Sequence, residues 1–151
     1  MRAVVQRVSK ASVIIDEMVH SEIKKGLLVL LGISIDDNEE DISYIIDKII
    51  NLRIFNDFSG KMNENISSFG GEILVVSQFT LLGDARKGRR PSYSNAANGE
   101  DALEIYKDFI AKLEKSYESL KIKTGKFQAM MKVELVNDGP VTILLDSKRL
   151  F

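Results

Sequence analysis

The stretch Asn137-Asp138-Gly139-Pro140-Val141-Thr142 lies near the end of the 151-residue chain, between two segments that look like strands. Before it, residues 131–136 alternate apolar and mostly charged side chains, which predicts a strand with one buried face. After it, residues 141–145 (VTILL) predict a second strand. Pro140 has no N–H for a sheet ladder, so we expect it at a turn, a bulge or an edge. The spacing favours an ordinary hairpin turn, and the bond into Pro140 is one that adopts cis at a cost of only about 0.5–1 kcal/mol.

A second stretch, residues 73–82 (ILVVSQFTLL), predicts a buried strand that carries Ser77, Gln78 and Thr80. Polar side chains in such an apolar run need hydrogen-bond partners or must face a cleft. These three residues are therefore candidates for a functional site.

The remaining pattern predicts a layered α+β fold. Strands are predicted at residues 2–8, 11–15, 18–23 and 27–33, with a short one at 52–55 and turns at 56–65 and 67–71. One helix begins at an acidic cap among residues 36–38, and a second begins at residues 98–101. We therefore expect one domain over residues 1–151, with a mostly antiparallel sheet and two main helices packed on it.

Composition restricts the chemistry available to this chain. It has no cysteine and one histidine, so thiol nucleophiles, disulfides and the usual His/Cys zinc sites are excluded. A Ser-His-Asp triad could use only His20, which we expect on an exposed strand. The acidic run at residues 36–41 is better explained as a helix start than as a metal site. We expect no metal and no cofactor.

Charge and hydropathy indicate the partners. No apolar run reaches the roughly 20 residues that span a bilayer, and no signal peptide is evident, so we expect a cytoplasmic protein without a membrane partner. The net charge of −1 argues against a general nucleic-acid binder. Four cations nevertheless cluster in five residues: Arg86, Lys87, Arg89 and Arg90.

The motifs Ser-Gln-Phe-Thr-Leu at 77–81 and Asn-Asp-Gly-Pro-Val-Thr at 137–142 together resemble the D-aminoacyl-tRNA deacylases. The likeness extends to residues 1–8, to the loop 87–92 and to Gly125-Lys126-Phe127. It implies an editing hydrolase that releases D-amino acids from mischarged tRNA, with glycyl-tRNA(Ala) as a second substrate. It also implies a homodimer with the active sites at the subunit interface.

The resemblance assigns a role to the first motif and its surroundings. Ser77, Gln78, Phe79 and Thr80 match the strand that lines the aminoacyl-adenosine pocket in the family. Thr80 is either a nucleophile or a donor to the ester carbonyl, and the absence of an evident base favours the donor. The adenine would be enclosed by Phe127, Met131 and Ala102, although Phe127 and Met131 also fit plain core packing. The chain departs from the family pattern at Gln128, where we expect glycine.

The resemblance implies that the second motif selects D-amino acids over L-amino acids. Gly139-Pro140 matches a Gly-cisPro element that reaches into the opposite subunit and leaves no room for the side chain of an L-amino acid. Arg7 matches a residue that supports this element, or is a surface strand arginine. Arg86, Lys87, Arg89 and Arg90 could contact acceptor-stem phosphates, or form only a solvated loop.

A chain poor in side-chain bases is consistent with this substrate. An aminoacyl ester on the terminal ribose has a free hydroxyl beside the scissile bond, so the substrate can supply its own proton-transfer group. Backbone N–H groups could then polarise the carbonyl. Two alternatives remain at this point: a non-catalytic RNA-binding module that uses the basic loop, and a dimeric structural protein.

Overall fold

The computed structural model describes residues 1–117 and 121–150, which fold into a six-stranded sheet, a small two-stranded sheet and helices. The strands are β1 (Arg2–Ile15), β2 (Met18–Ile23), β3 (Gly26–Gly32), β4 (Phe55–Asn56), β5 (Met62–Glu64), β6 (Glu72–Ser77), β7 (Lys121–Thr124) and β8 (Lys132–Asp146). The helices are α1 (Glu39–Asn51), α2 (Ile66–Phe69), α3 (Gly99–Ser116) and a 3-10 helix (Phe79–Leu82). The α+β class predicted from the sequence is confirmed.

The first two predicted strands are one. β1 runs without interruption for 14 residues. It pairs antiparallel with β3 along its first half and with β2 along its second half. Ser9 and Lys10, the two residues between the predicted strands, are half-buried and exposed, respectively, within this strand. A strand that changes partners midway needs no turn, because each half has its own neighbour.

The hairpin predicted around Pro140 is wrong. Residues 132–146 form the single strand β8, which pairs antiparallel with β1 over nearly its whole length. Val8 pairs with Asn137 and Gln6 pairs with Thr142, so the four residues 138–141 stand opposite Arg7 alone. The stretch is therefore a bulge with four residues opposite one, which accommodates a proline because the ladder is already interrupted there.

The sheet is mixed, although three of its five pairings are antiparallel. β6 lies parallel to both β3 and β7. The reason is connectivity: α1 lies in the chain between β3 and β6, and α3 lies between β6 and β7, which is the crossover that parallel strands require.

Both main helices begin at the caps predicted from the sequence. The Asn38 side chain accepts from the Glu40 N–H at the start of α1, and the Asn98 side chain accepts from the N–H groups of Glu100 and Asp101 at the start of α3. Their apolar faces pack on one side of the sheet around Ile45 and Phe109, which are fully buried. Within the described residues, no helix combines the length and apolar character needed to cross a bilayer.

The segment between α1 and β6 is more regular than expected. The short strand predicted at residues 52–55 is displaced to β4, and the predicted turn region contains β5. The turn predicted at residues 67–71 begins with α2, which Asn65 caps and which ends at Gly70 with a positive φ of 73°. Such two- and three-residue strands carry too little periodicity to be recognised in a sequence.

The contacts of the Asp41 carboxylate predict that the free energy of unfolding falls in acid. Burial alone would raise its pKa, but hydrogen bonds from Lys148 and from the Asn38 N–H lower the pKa of this carboxyl to about 2. A depressed pKa contributes stability above the unfolded value near 4 that is lost as the pH falls towards 2. Urea unfolding at pH 6 and pH 2.5 should therefore show wild type losing about 2 kcal/mol more than Asp41→Asn. Equal losses in the two proteins would contradict this role.

Candidate active site

A cavity of about 700 Å³ opens where β6 ends, beside the 3-10 helix, the start of α3 and the turn after β7. Seven of the residues selected from the sequence line it: Ser77, Gln78, Phe79, Thr80, Ala102, Phe127 and Met131. Further lining residues come from the same elements and were not selected: Ala97, Gly99, Gln128, Ala129 and Met130. The lining is apolar except for Ser77, Gln78 and Thr80 along one edge and Gln128 in the turn after β7.

The strand predicted over residues 73–82 ends at Ser77, and Thr80 lies on the 3-10 helix. The chain leaves the sheet after the Gln78 N–H donates to the Leu31 carbonyl at 2.7 Å. Leu82 then turns back into the core, where it is 6% exposed. This change from strand to helix is what moves the polar side chains from a sheet face to the rim of the cavity.

Thr80 and Gln78 contact each other at this rim. The Gln78 amide Nε2 donates to the Thr80 hydroxyl oxygen. A hydroxyl that already accepts this bond keeps its own hydrogen available to donate. The Thr80 backbone N–H has no hydrogen-bond partner among the described residues, as expected at the first turn of a helix. Both donors of Thr80 are therefore available to a ligand.

None of the described residues that line the cavity carries a carboxylate, an imidazole or an amine that could act as a base for this hydroxyl. The single histidine, His20, is exposed on β2, as predicted, and is not among the residues that line the cavity. The hydrogen bond from Gln78 also withdraws electron density from the Thr80 oxygen. This arrangement suits a donor and does not activate a nucleophile.

The aromatic wall of the cavity belongs to the core as well. Phe127 packs on Tyr106 with ring centroids 5.5 Å apart, and Tyr106 is held by a 3.0 Å hydrogen bond from its hydroxyl to the Val75 carbonyl. Burial raises the pKa of Tyr106 well above its ordinary value, so the phenol stays a neutral donor. Met131 packs against the second core cluster, on the other face of the sheet. The two interpretations of Phe127 and Met131 are thus compatible.

Gly139 and Pro140 lie outside this cavity, and so does Arg7. The bond between Gly139 and Pro140 is cis, and both residues are exposed at the bulge of β8. Asn137 closes the bulge, since its amide Nδ2 donates to the carbonyls of Arg7 at 3.1 Å and Val141 at 3.0 Å. The chain therefore presents Gly139 and Pro140, the Gly-Pro corner, outward and apart from its own cavity.

Arg7 is not the surface arginine that the sequence left possible, because it is only 8% exposed. Its guanidinium donates to the carbonyl oxygens of Asp138 at 3.0 Å and Ile54 at 2.6 Å. The Asp138 carboxylate lies 3.5 Å away and offsets part of its charge. Arg7 thus connects Asp138, the residue before Gly139, to the loop that follows α1.

The four cations of the basic loop differ in their contacts. Arg86 forms hydrogen bonds of 2.9 and 2.6 Å with the Asp84 carboxylate, which holds the pKa of Asp84 well below its usual range. Lys87, Arg89 and Arg90 are exposed, and no ion pair involves them among the described residues. None of the four lines the cavity.

Gln128 is the lining residue whose conformation is least expected. It has a positive φ of 59° in a turn that the Ala129 N–H closes on the Lys126 carbonyl at 3.1 Å. Glycine is the ordinary residue at such a position. Only its departure from the family pattern marked it in the sequence.

Comparison with known proteins identifies the family. A model described as D-Tyr-tRNA(Tyr) deacylase matches residues 4–146. Proteins named D-aminoacyl-tRNA deacylase from Thermoanaerobacter sp. (strain X514) and Clostridioides difficile (strain 630) are each 57% identical over 151 residues, covering 100% of both chains. The chain therefore belongs to the D-Tyr-tRNA(Tyr) deacylase family and is a hydrolase of that type.

Solved structures share the fold. One described as c-Myc DNA Unwinding Element Binding Protein superimposes with a TM-score of 0.93 and 45% identity, covering 97% of this chain and 98% of that one. A probable eukaryotic D-amino acid tRNA deacylase superimposes with a TM-score of 0.81 at 16% identity, covering 95% and 97%. At that identity the second likeness supports the fold alone.

Proposed function

We propose that this chain hydrolyses the ester of D-aminoacyl-tRNA in the cavity edged by residues 77–80, releasing the free D-amino acid and tRNA. The observation that carries the proposal is the pair of available donors on Thr80, beside an apolar cavity large enough for a nucleoside and its aminoacyl group. Donors aimed at a carbonyl oxygen stabilise the negative charge that develops there during hydrolysis.

The terminal ribose supplies the missing proton-transfer group in this proposal. The cavity offers hydroxyl and amide groups, and the described part of the chain contributes no carboxylate or imidazole to its lining. The free hydroxyl next to the ester lies within reach of the attacking water without any help from the protein. Ser77 and Gln78 then orient the substrate, and Phe127, Ala102 and Met131 enclose the adenine.

The second copy of the chain completes the site. The outer face of β1 and β8 supports this part of the proposal, because Val4 pairs with Leu144 there and Leu144 is 58% exposed. Leu135, nearer the bulge, is also exposed, at 36%. An apolar strand face of this kind is a usual contact between protomers, and it lies next to Gly139 and Pro140. A homodimer built on it would bring the corner of one protomer to the cavity of the other.

In this proposal, steric exclusion at the Gly-Pro corner selects D-amino acids over L-amino acids. Arg7 and Asn137 hold the bulge on both sides through backbone carbonyls, so the corner is supported from within its own protomer. A fixed backbone rejects the projecting side chain of an L-amino acid, whereas a D-amino acid or glycine fits. Glycyl-tRNA(Ala) is accordingly a second substrate, and the protein acts as a cytoplasmic proofreading enzyme.

The basic loop would contact phosphates of the acceptor stem. Lys87, Arg89 and Arg90 are the better candidates, because Arg86 is already paired with Asp84. Such contacts contribute affinity that falls with salt and carry no sequence readout.

A paired assay with D-tyrosyl-tRNA and L-tyrosyl-tRNA tests the proposal. Purified protein in EDTA should release D-tyrosine at least about 100-fold faster than L-tyrosine, since a fixed backbone that clashes with the substrate costs several kcal/mol. Tyrosine release is followed by loss of acid-precipitable label. Equal rates on the two enantiomers would refute exclusion, and salt-sensitive tRNA binding without hydrolysis would favour the RNA-binding alternative.

The proposed interface gives a separate prediction. Leu144→Glu places a charge on the outer strand face, so sedimentation should show monomers and the deacylation rate should fall by about 10-fold or more. Phe58→Glu is the matched control, because Phe58 is fully exposed on the loop between β4 and β5. Its dimer and its activity should be unchanged. A monomeric Leu144→Glu protein with full activity would contradict a shared site.

A further inference from the structure

Gln128 combines an unfavourable backbone with an uncommitted side chain. A non-glycine residue with a φ of 59° costs of order 1 kcal/mol relative to glycine, so this glutamine is not there to form the turn. Gln128 is exposed, and its amide makes no hydrogen bond to any described residue. The amide is therefore available to a ligand that approaches from solvent.

Gly99 defines where that amide lies. A Cβ built on Gly99, the first residue of α3, would stand 2.2 Å from Gln128 Nε2 and 3.9 Å from its Oε1. The amide therefore occupies the space that a side chain at position 99 would fill. Gly99 and Gln128 both line the cavity, so the amide lies at its mouth.

The surroundings indicate the chemistry of a matching ligand. Ala97, Ala102 and Phe127 offer apolar surface for a flat ring, and they carry no side-chain group that could read the ring's edge. A carboxamide presents one donor and one acceptor side by side. Adenine presents the complementary pair at N6 and N7, which glutamine binds with two hydrogen bonds in other nucleic-acid complexes.

We propose that Gln128 is a specificity-determining residue of this chain, which reads the N6–N7 edge of the terminal adenine of the tRNA. The inference rests on the proposed function, because it names the residue that recognises the adenine in the same cavity. Gln128 takes no part in bond breaking. It makes the enzyme prefer adenine over a purine that lacks the N7 acceptor.

The test compares D-tyrosyl esters of adenosine and 7-deazaadenosine. Wild type should show a kcat/KM for the adenosine ester that is about 10-fold higher than for the 7-deazaadenosine ester, as expected for one bidentate base contact. The difference should lie mainly in KM. Gln128→Gly, which relaxes the turn, should keep kcat and bring this ratio to about 1. Lys126→Ala is the matched control, since Lys126 is exposed in the same turn and does not line the cavity.

Gly99→Ala tests the position of the amide independently. The added methyl group should displace the flexible end of Gln128 and lower the base preference, but it should have no further effect in the Gln128→Gly background. Additive losses, or a base preference that survives Gln128→Gly, would overturn the inference.

A binding measurement separates this inference from the proposed function. Adenosine and 7-deazaadenosine are titrated into wild type and Gln128→Gly, and amide chemical shifts are followed by NMR. Preferential binding of adenosine by wild type alone supports the role of Gln128 even if no hydrolysis is found. Hydrolysis of D-tyrosyl-tRNA by wild type with equal binding of both nucleosides overturns the inference and leaves the proposed function standing.

Discussion

Replacing Thr80 with valine should lower kcat for D-tyrosyl-tRNA by about 10²–10³-fold, which is the usual loss when one oxyanion donor is removed. Valine keeps the shape and removes the hydroxyl, whose hydrogen is available because its oxygen accepts from Gln78. The Thr80 N–H stays in place, so part of the stabilisation of the carbonyl should survive.

Thr80→Ser is the matched variant, because it keeps the hydroxyl and loses only a methyl group. It should retain kcat within about 10-fold of wild type. Single-turnover rates measured for the three proteins at saturating enzyme report the chemical step. A tyrosyl group found attached to Thr80 by mass spectrometry would establish a nucleophile and refute the donor role.

Gly139→Ala should reduce kcat/KM for D-tyrosyl-tRNA by about 100-fold, the order of loss for a site misplaced by 1 Å. Gly139 has a φ of 129°, and a Cβ there would lie 2.7 Å from Val141 Cγ2 and 2.9 Å from Arg7 Nη2. The Arg7 guanidinium is held by two carbonyls and cannot yield freely. The added methyl group therefore displaces the corner itself.

Gly60→Ala separates this effect from backbone strain. Gly60 also has a positive φ, of 78°, but no atom lies within 4 Å of a Cβ built there. The variant should lose up to about 1 kcal/mol of stability and no activity. If both variants lose the same stability and neither loses activity, the Gly-Pro corner has no part in the site.

Mixing the Thr80→Val and Gly139→Ala proteins tests whether, in the proposed homodimer, the corner of one protomer acts in the site of the other. Thr80→Val retains a normal corner, and Gly139→Ala retains a normal cavity. After equimolar subunit exchange, roughly half the dimers are mixed, and each has one site with both parts intact, so activity should return to about a quarter of wild type. No recovery after verified exchange would mean that each site uses its own corner.

The sequence predicted local features better than connections. The caps Asn38 and Asn98 fall within the predicted ranges 36–38 and 98–101, because a cap depends on a few neighbouring residues. The strand predicted at residues 73–82 is too long, because the hydrophobic pattern does not show that the chain leaves the sheet at Ser77. The hairpin predicted at Pro140 is wrong for a related reason, since a turn and a bulge use the same residues.

The sequence by itself determined the chemistry available to this protein: one histidine, no cysteine, and polar residues at 77–80 within an apolar run. It also marked Gly139 and Pro140 as a pair that an ordinary strand does not accommodate. Only the tertiary structure decided that Thr80 faces a cavity with both donors available, and that the Gly-Pro corner faces outward from β8. The physical reason is that β1 pairs with β8 across 118 to 144 positions of sequence, and no local pattern encodes a contact of that range.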